Sequence, residues 1–192
     1  MFSEEKVAQM AAYLLLKRGG RMAYLKLIKL LYLANRECLV KHGRMMGEDA
    51  LFSLPHGPVM STTLDVIKGK TAGTGVGDYW DTLISTCNHD VFLKDAVKDS
   101  DPEDLLDELS FSDVKILDDI FAKYGHWDRY QLRDATHLKH VCPEWHDPKG
   151  SRLVIDPIEI FTHEGKSQEE AENIVHNLKE ASLLREFSSQ LK

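Results

Sequence analysis

The sequence predicts a mainly α-helical fold built around one central, buried helix. The stretch from Tyr24 to Gly43 is apolar on nearly every side, and only Lys26 and Lys29 interrupt its first half. A helix that is hydrophobic all round belongs in a protein interior. Helical apolar patterns flank this stretch, and one short segment has the pattern of a hairpin. We therefore predict a compact helical domain with a small β-hairpin and a C-terminal helix.

A first helix is predicted immediately before the central one. Ser3 can cap its N-terminus, and the charges of Glu4 and Glu5 suit the first turn. Gly19 and Gly20 end the pattern. The short turn that follows predicts an antiparallel pair formed by this helix and the central helix.

The middle of the chain is predicted to be more irregular. A short strand is predicted near residues 50–54, followed by a helix that begins at Pro58, because proline suits the first helical position. Gly69 ends that helix. Two β-prone runs around residues 88–90 predict the hairpin, and residues 99–108 predict an acidic surface segment.

Further helices are predicted in the second half of the chain. Ser112 caps a helix that ends at Gly125, and the next helix covers residues 129–138. Ser167 and Glu170 have the spacing of a capping box and open the last helix.

The last helix carries an apolar stripe at helical spacing. Its members are Ala171, Ile174, Leu178, Ala181, Leu184, Phe187 and Leu191. Such a stripe packs on a core or enters a groove of another protein. We therefore divide the chain into a domain formed by residues 1–165 and a helix in residues 166–192, which either packs on the domain or acts as a partner-binding arm.

The net charge of −7 is unevenly distributed along the 192 residues. Residues 1–44 carry a net charge of +6, and the remainder carries −13. This pattern allows either a basic face for an acidic partner or two solvated faces. An acidic chain without a long apolar stretch gives no reason to expect nucleic acid or a membrane as the partner.

The cysteine pattern indicates free thiols. Cys38, Cys87 and Cys142 are far apart and odd in number, which is typical of a reducing compartment. We predict a cytoplasmic protein.

The densest set of possible metal ligands consists of His137, His140, Cys142 and His146. Histidine and cysteine are suitable zinc ligands, but this spacing matches no common zinc site. We predict no metal, no cofactor and no catalytic residues. A small metal-binding enzyme or a metal-stabilised domain remains an alternative.

Lys26, Lys29 and Arg36 recur on one side of the central helix. We predict that they form an exposed cationic strip and, with His56, contact a partner. Substitution of Lys29 or Arg36 should then leave stability almost unchanged. The alternative is that their long stems cover apolar surface while the charges reach water.

Several segments of the chain together resemble one family. The segments are 26–34 (KLIKLLYLA), 57–59 (GPV), 111–112 (FS), 124–125 (YG), Leu132, 136–137 (TH) and Trp145. They are similar to the Panacea domain of SocA-like antitoxins, and the resemblance covers roughly residues 5–165. Family members often have Pro-Trp after the Thr-His pair, whereas Glu144 separates proline from tryptophan here.

The resemblance implies an antitoxin of a bacterial or prophage toxin–antitoxin system. Such domains neutralise a cognate toxin, encoded by the adjacent gene, by direct protein–protein contact. One branch of the family is instead a proteolytic adaptor that delivers its toxin to the ClpXP protease, which is an alternative here. The resemblance attaches no catalytic residue to the domain. It implies structural roles for Leu27, Leu30, Leu31, Tyr32, Gly57, Pro58, Thr136, His137 and Trp145.

Overall fold

The computed structural model describes residues 2–98 and 105–190, and most of these residues are helical, as predicted. The helices are α1 (Glu4–Lys17), α2 (Tyr24–His42), α3 (Ser61–Ile67), α4 (Trp80–Leu83), α5 (Asp95–Lys98), α6 (Phe111–Tyr124), α7 (Arg129–Ala135), α8 (Pro157–His163) and α9 (Gln168–Gln190). The strands are β1 (Arg21–Ala23), β2 (Leu51–Leu54), β3 (Gly57–Met60), β4 (Ile84–Cys87), β5 (Asp90–Leu93) and β6 (Leu153–Val154). No helix within the two described ranges is long and apolar enough to cross a membrane.

Helix α2 occupies the centre of the protein. It contacts α1, α3, α6, α7 and α8, as well as β1 and β3. The side chains of Leu27, Leu30, Leu31 and Tyr32 are fully buried, in agreement with their predicted core positions. Gly43 ends the helix in the left-handed conformation, with φ 60°. The prediction of a central, buried helix is confirmed.

The predicted hairpin is present and belongs to a larger sheet. Strands β4 and β5 are antiparallel, with Cys87 opposite Asp90 and a two-residue turn at residues 88–89. Strand β1 pairs with the other edge of β5. The short link between α1 and α2 therefore forms the third strand of this sheet in the order β1-β5-β4.

A second antiparallel sheet has the strand order β3-β2-β6. The prediction that Pro58 begins a helix is wrong, because Pro58 lies in β3 opposite Ser53, and α3 begins at Ser61. Proline is tolerated here because β3 is an edge strand of the sheet. The turn before it, at residues 55–56, is followed by Gly57 with φ +92°.

Two predicted helix ends in the second half are displaced. The N-cap of α6 is Ser110 rather than Ser112, since the Ser110 hydroxyl accepts from the Asp113 amide and the Asp113 side chain bonds back to the Ser110 amide. Helix α7 ends at Ala135 rather than at residue 138. Ser3 precedes α1 but makes no side-chain cap hydrogen bond.

Helix α9 begins with the predicted capping box. The Ser167 hydroxyl accepts from the Glu170 amide at 3.2 Å, and the Glu170 carboxylate accepts from the Ser167 amide at 2.8 Å. The first half of the helix is packed, with Ala171 and Val175 buried. In the second half of the predicted stripe, Leu184 and Phe187 are exposed, and Leu191 lies outside the described residues.

The predicted acidic segment is described only in part. Residues 99–104 lie outside the described residues, whereas Leu105 is buried in the core. Asp107 accepts a hydrogen bond from the buried Gln9 amide at 2.6 Å.

Candidate functional site

The three cations of α2 lie inside the protein, so the prediction of an exposed cationic strip is wrong. Lys26, Lys29 and Arg36 are 5%, 0% and 8% exposed. The reason is that other elements cover α2 on all sides, and a cation on a covered helix is buried and must be paired. His56, the fourth predicted contact residue, is exposed in the β2–β3 turn.

Lys26 joins α2 to the end of α6. Its ammonium donates to the carbonyl oxygens of Gly125 at 2.6 Å and Trp127 at 2.7 Å. Carbonyl groups at a helix C-terminus lack partners within the helix. Lys26 therefore satisfies backbone acceptors that would otherwise be buried without a hydrogen bond.

Lys29 joins α2 to the turn between β2 and β3. Its ammonium donates to the carbonyl oxygen of Pro58 at 2.7 Å. No carboxylate in the described part of the chain pairs with this ammonium. The charged ammonium is therefore buried without a counter-ion. Burial disfavours its charged form and lowers the pKa of Lys29 to about 7.

Gly57 is pressed against the residues that surround Lys29. A Cβ at this position would lie 2.6 Å from the Thr136 hydroxyl, 2.9 Å from the Lys29 ammonium and 3.3 Å from His137 Nε2. The chain also has φ +92° here, which favours glycine. Gly57, Thr136 and His137, which all belong to the segments that resemble the family, therefore lie close together.

Arg36 is the centre of a buried ionic network. Its Nε donates to Glu144 Oε1 at 3.0 Å, and a terminal nitrogen donates to Glu164 at 2.8 Å. The Tyr32 hydroxyl donates to Glu144 at 2.6 Å. Burial and the charge of Glu144 raise the pKa of Tyr32 well above its usual value. The network joins α2 to the 136–146 loop and to the end of α8.

Glu144 is the residue that sequence reasoning missed. It is fully buried, and it is the residue that separates Pro143 from Trp145. A signal for it was available, because a cation inside an all-apolar helix requires a buried acceptor elsewhere in the chain. The sequence does not indicate which carboxylate meets Arg36, since the two residues are 108 positions apart.

Trp145 holds the 136–146 loop against β2, and the Thr-His pair lies at the end of α7 beside it. The Trp145 indole donates to the carbonyl oxygen of Leu54 at 3.1 Å, and its ring lies 4.3 Å from the His137 ring. The Thr136 hydroxyl donates to the Arg133 carbonyl at 2.7 Å. The structural roles that the resemblance implies for these residues stay a prediction.

The candidate metal ligands do not form a metal-binding group. Cys142 is buried, and burial followed by the charge of Glu144 raises the pKa of its thiol. His140 is exposed, and His146 bonds to Glu159 at 3.0 Å. Within residues 2–98 and 105–190, no three His, Cys, Asp or Glu side chains are placed to hold a metal ion.

An exposed apolar surface lies on the second half of α9. We call Leu183, Leu184 and Phe187 the distal α9 surface; Leu184 is 70% exposed and Phe187 is 65% exposed. A neighbouring groove of about 350 Å³ is lined by Val154 of β6 and Ser182 of α9, among others. Val154 is also exposed, so β6 adds apolar area beside the helix.

The described residues thus define a helical domain with an internal polar network and an exposed apolar helix face. The chain matches the family model described as Antitoxin SocA-like, Panacea domain over residues 27–146, which is more than half of its length. The protein belongs to this family. No curated protein and no solved structure matches the chain. The match includes Lys29, Arg36 and Glu144, whereas α9 lies outside it.

Proposed function

We propose that this protein is the antitoxin of a bacterial or prophage toxin–antitoxin system. It neutralises a cognate toxin, encoded by the adjacent gene, by direct binding in the cytoplasm and without catalysis. Membership of the SocA-like antitoxin family supports a toxin as the partner. The cations of α2 bond to internal acceptors, which supports a contact surface elsewhere on the protein.

The observation that carries this proposal is the distal α9 surface. Leu183 and Phe187 are four positions apart, and Leu184 and Phe187 are three apart, so the side chains share one side of the helix. Adjacent exposed apolar side chains of this size indicate an interaction site. An amphipathic helix that lies in a groove of its partner is a common mode of protein recognition.

The distal α9 surface has the properties of an interface centre. Fully burying one large apolar side chain is worth about 1.5–3 kcal/mol. Three such side chains in one patch provide a hydrophobic centre. A stable complex would bury on the order of 1,200–2,000 Å² in total, so the contact must continue beyond these residues.

The test is co-expression of this protein with the product of the adjacent open reading frame, read by pull-down and by growth. The wild type should form a stable complex and restore growth. The variant Leu184→Glu/Phe187→Glu should lose both, because two charges would enter the apolar contact. The matched control is Asn173→Glu/Asn177→Glu, which adds two charges at exposed positions of the same helix.

Two results would contradict the proposal. Growth arrest that persists beside abundant wild-type protein would exclude neutralisation of that toxin. Rescue without a stable complex, accompanied by a toxin half-life that depends on ClpXP, would favour the proteolytic adaptor instead.

A further inference from the structure

Three polar side chains converge on the backbone at Gly57. The Thr136 hydroxyl, the Lys29 ammonium and Nε2 of His137 are the three heavy atoms nearest to the position that a Cβ of Gly57 would occupy. We call Lys29, Gly57, Thr136 and His137 the Gly57 cluster. The cluster joins α2, the start of β3 and the end of α7, so two titratable side chains lie where three parts of the fold meet.

Both titratable groups of the cluster are buried with few hydrogen bonds. The Lys29 ammonium has three donors and no exposed surface, and its hydrogen-bond acceptor within the described residues is the Pro58 carbonyl oxygen. Nε2 of His137 is buried and has no hydrogen-bond partner among the same residues. The His137 side chain as a whole is only half-buried, so its ring lies between the cluster and solvent.

The surroundings of His137 oppose a charged imidazole. Protonation would place an N–H on Nε2 as well as on Nδ1, and the new donor would face the Lys29 ammonium without an acceptor. Burial, followed by the charge of Lys29, lowers the pKa of His137. Among the other neighbours, Asp134 acts to raise this pKa, whereas Arg133 and His56 act to lower it.

The neighbouring acids do not compensate for a second cation. Asp134 already pairs with Arg133 at 2.6 Å. Cys142 is the group that faces Lys29 from the 136–146 loop, and burial raises the pKa of its thiol, which therefore stays neutral. The closed arrangement is thus compatible with a neutral His137 and is opposed by a charged one.

We propose that the Gly57 cluster is a pH-sensitive contact, in which protonation of His137 releases the start of the 136–146 loop from the β2–β3 turn. In the closed arrangement the His137 ring lies 4.3 Å from the Trp145 ring. The Trp145 indole donates to the Leu54 carbonyl oxygen at the end of β2. When a charged His137 moves into water, Trp145 loses the ring beside it, and its bond to Leu54 opens too.

The release is local. The bond between Arg36 and Glu144 involves neither residue of the Thr-His pair, and it keeps the middle of the 136–146 loop on α2. Local openings of this kind require less free energy than global unfolding. The pH therefore acts on the contact between the loop and the turn while the core stays folded.

The direction of the pH dependence follows from proton binding. In the open arrangement the imidazole is in water and has its ordinary pKa of 6.5, whereas the pKa is lower in the closed arrangement. Between these values the open form holds a proton that the closed form lacks. The equilibrium constant for opening should therefore increase by up to about tenfold for each pH unit below the ordinary pKa. Lys29, with a pKa of about 7, is mainly charged throughout this range.

The test is NMR on the full chain between about pH 7 and pH 5. The ring resonances give the pKa of His137, and exchange of the Trp145 indole proton, corrected for its intrinsic rate at each pH, gives the opening constant. The wild type should open more as the pH falls. His137→Gln, which cannot take up the proton, should open equally at every pH. His176→Gln removes an exposed imidazole on α9 and should behave like the wild type.

Three results would overturn the inference. The first is a wild-type pKa of His137 at or above 6.5, a measurement that does not depend on the folding of any variant. The second is a wild-type opening constant that stays the same over the whole pH range. The third is a pH dependence of opening that persists in His137→Gln.

Discussion

At Gly57 the backbone lies close to the interior polar groups of Thr136 and Lys29. We expect Gly57→Ala to lower the free energy of unfolding by roughly 2–5 kcal/mol, because the left-handed backbone and the contacts with Thr136 and Lys29 both oppose a methyl group. Urea unfolding measures this. Gly69→Ala is the matched control, since Gly69 also has a positive φ but open space around it, and it should cost only about 1–2 kcal/mol. Equal losses in both variants would show that the packing around Gly57 is unimportant.

The buried ammonium of Lys29 should make stability depend on pH. Its pKa is lowered to about 7 in the folded protein, from 10.5. Between these values the unfolded chain holds a proton that the folded chain has released, so this group makes stability rise as the pH rises from about 7 towards 10. The destabilising contribution is fully present below pH 7.

Lys29→Met isolates this contribution. As the pH rises from 7 to 10, the free energy of unfolding of the wild type should increase relative to that of the variant. Urea unfolding at each pH measures both values. Lys179→Met, at an exposed position, serves as the control. If the free energies of unfolding of the wild type and of Lys29→Met differ by the same amount over this range, the lowered pKa of Lys29 is contradicted.

The cations of α2 show what the sequence could and could not predict at the residue scale. The apolar surroundings of Lys26, Lys29 and Arg36 predict a buried helix correctly, whereas the prediction that the cations themselves are exposed is wrong, because a covered helix buries its charged side chains too. The partners could not be predicted, because they are backbone carbonyls of Gly125 and Pro58 and a carboxylate far along the chain. No local spacing encodes such contacts.

At the scale of elements, the bond between Arg36 and Glu144 fixes the 136–146 loop on α2. Arg36→Met should cost roughly 3–5 kcal/mol of stability, because the Glu144 charge stays buried without its cation. This reverses the expectation that substitution at Arg36 is nearly neutral. A double-mutant cycle of Arg36→Met and Glu144→Met, measured by urea unfolding, should give a coupling energy of at least about 1 kcal/mol. Additive losses would show that the pair is not coupled.

Helices with their own local signals were predicted well, whereas elements that depend on distant partners were not. Two predicted local features are confirmed: the capping box of Ser167 and Glu170, and the turn at residues 88–89. In each of them, the residues that interact are only a few positions apart in the chain. Proline is compatible with both the first position of a helix and an edge strand. Pro58 lies in a strand because the chain there pairs antiparallel with β2, where Ser53 is opposite Pro58. Register between strands is a tertiary property, so the local pattern cannot supply it.

Helix α9 has two halves that differ in burial. Its apolar stripe predicts either packing on the domain or contact with a partner, and the structure divides the stripe. Ala171 is buried, and Ile174 and Leu178 are partly buried against the core, whereas Leu184 and Phe187 are exposed. The periodicity is the same in both halves, so the sequence alone does not reveal where the packing surface of the domain ends.

At the scale of the whole molecule, the basic N-terminal segment is neutralised by the acidic second half of the chain. Lys6 and Arg44 both pair with Asp113, at 2.8 Å and 2.6 Å, and Lys41 contacts Asp119 at 3.5 Å. Several of the cations that give residues 1–44 their charge of +6 are thus paired with carboxylates of the same protein. Uneven charge along a chain need not produce an uneven surface.

Asp113 is the most buried acid of these pairs, and its contribution should be lost in acid. Although burial raises its pKa, hydrogen bonds from Lys6, Arg44 and Ser110 lower the pKa to about 2, from 3.8. The stabilisation is therefore present above about pH 4 and lost as the pH falls through about 2. Asp113→Asn should cost about 2 kcal/mol at pH 7, with a smaller cost near pH 2, measured by urea unfolding. A cost independent of pH would exclude the ion pairs as its source.

The most direct measurement of the proposed function is the dissociation constant of the purified complex with the adjacent gene product, determined by isothermal titration calorimetry. We predict tight binding by the wild type and at least about a hundredfold weaker binding by Leu184→Glu/Phe187→Glu, which corresponds to about 2.7 kcal/mol. Asn173→Glu/Asn177→Glu should bind like the wild type. Unchanged affinity in Leu184→Glu/Phe187→Glu would show that the distal α9 surface does not bind the toxin, and the absence of any binding would contradict neutralisation by direct contact.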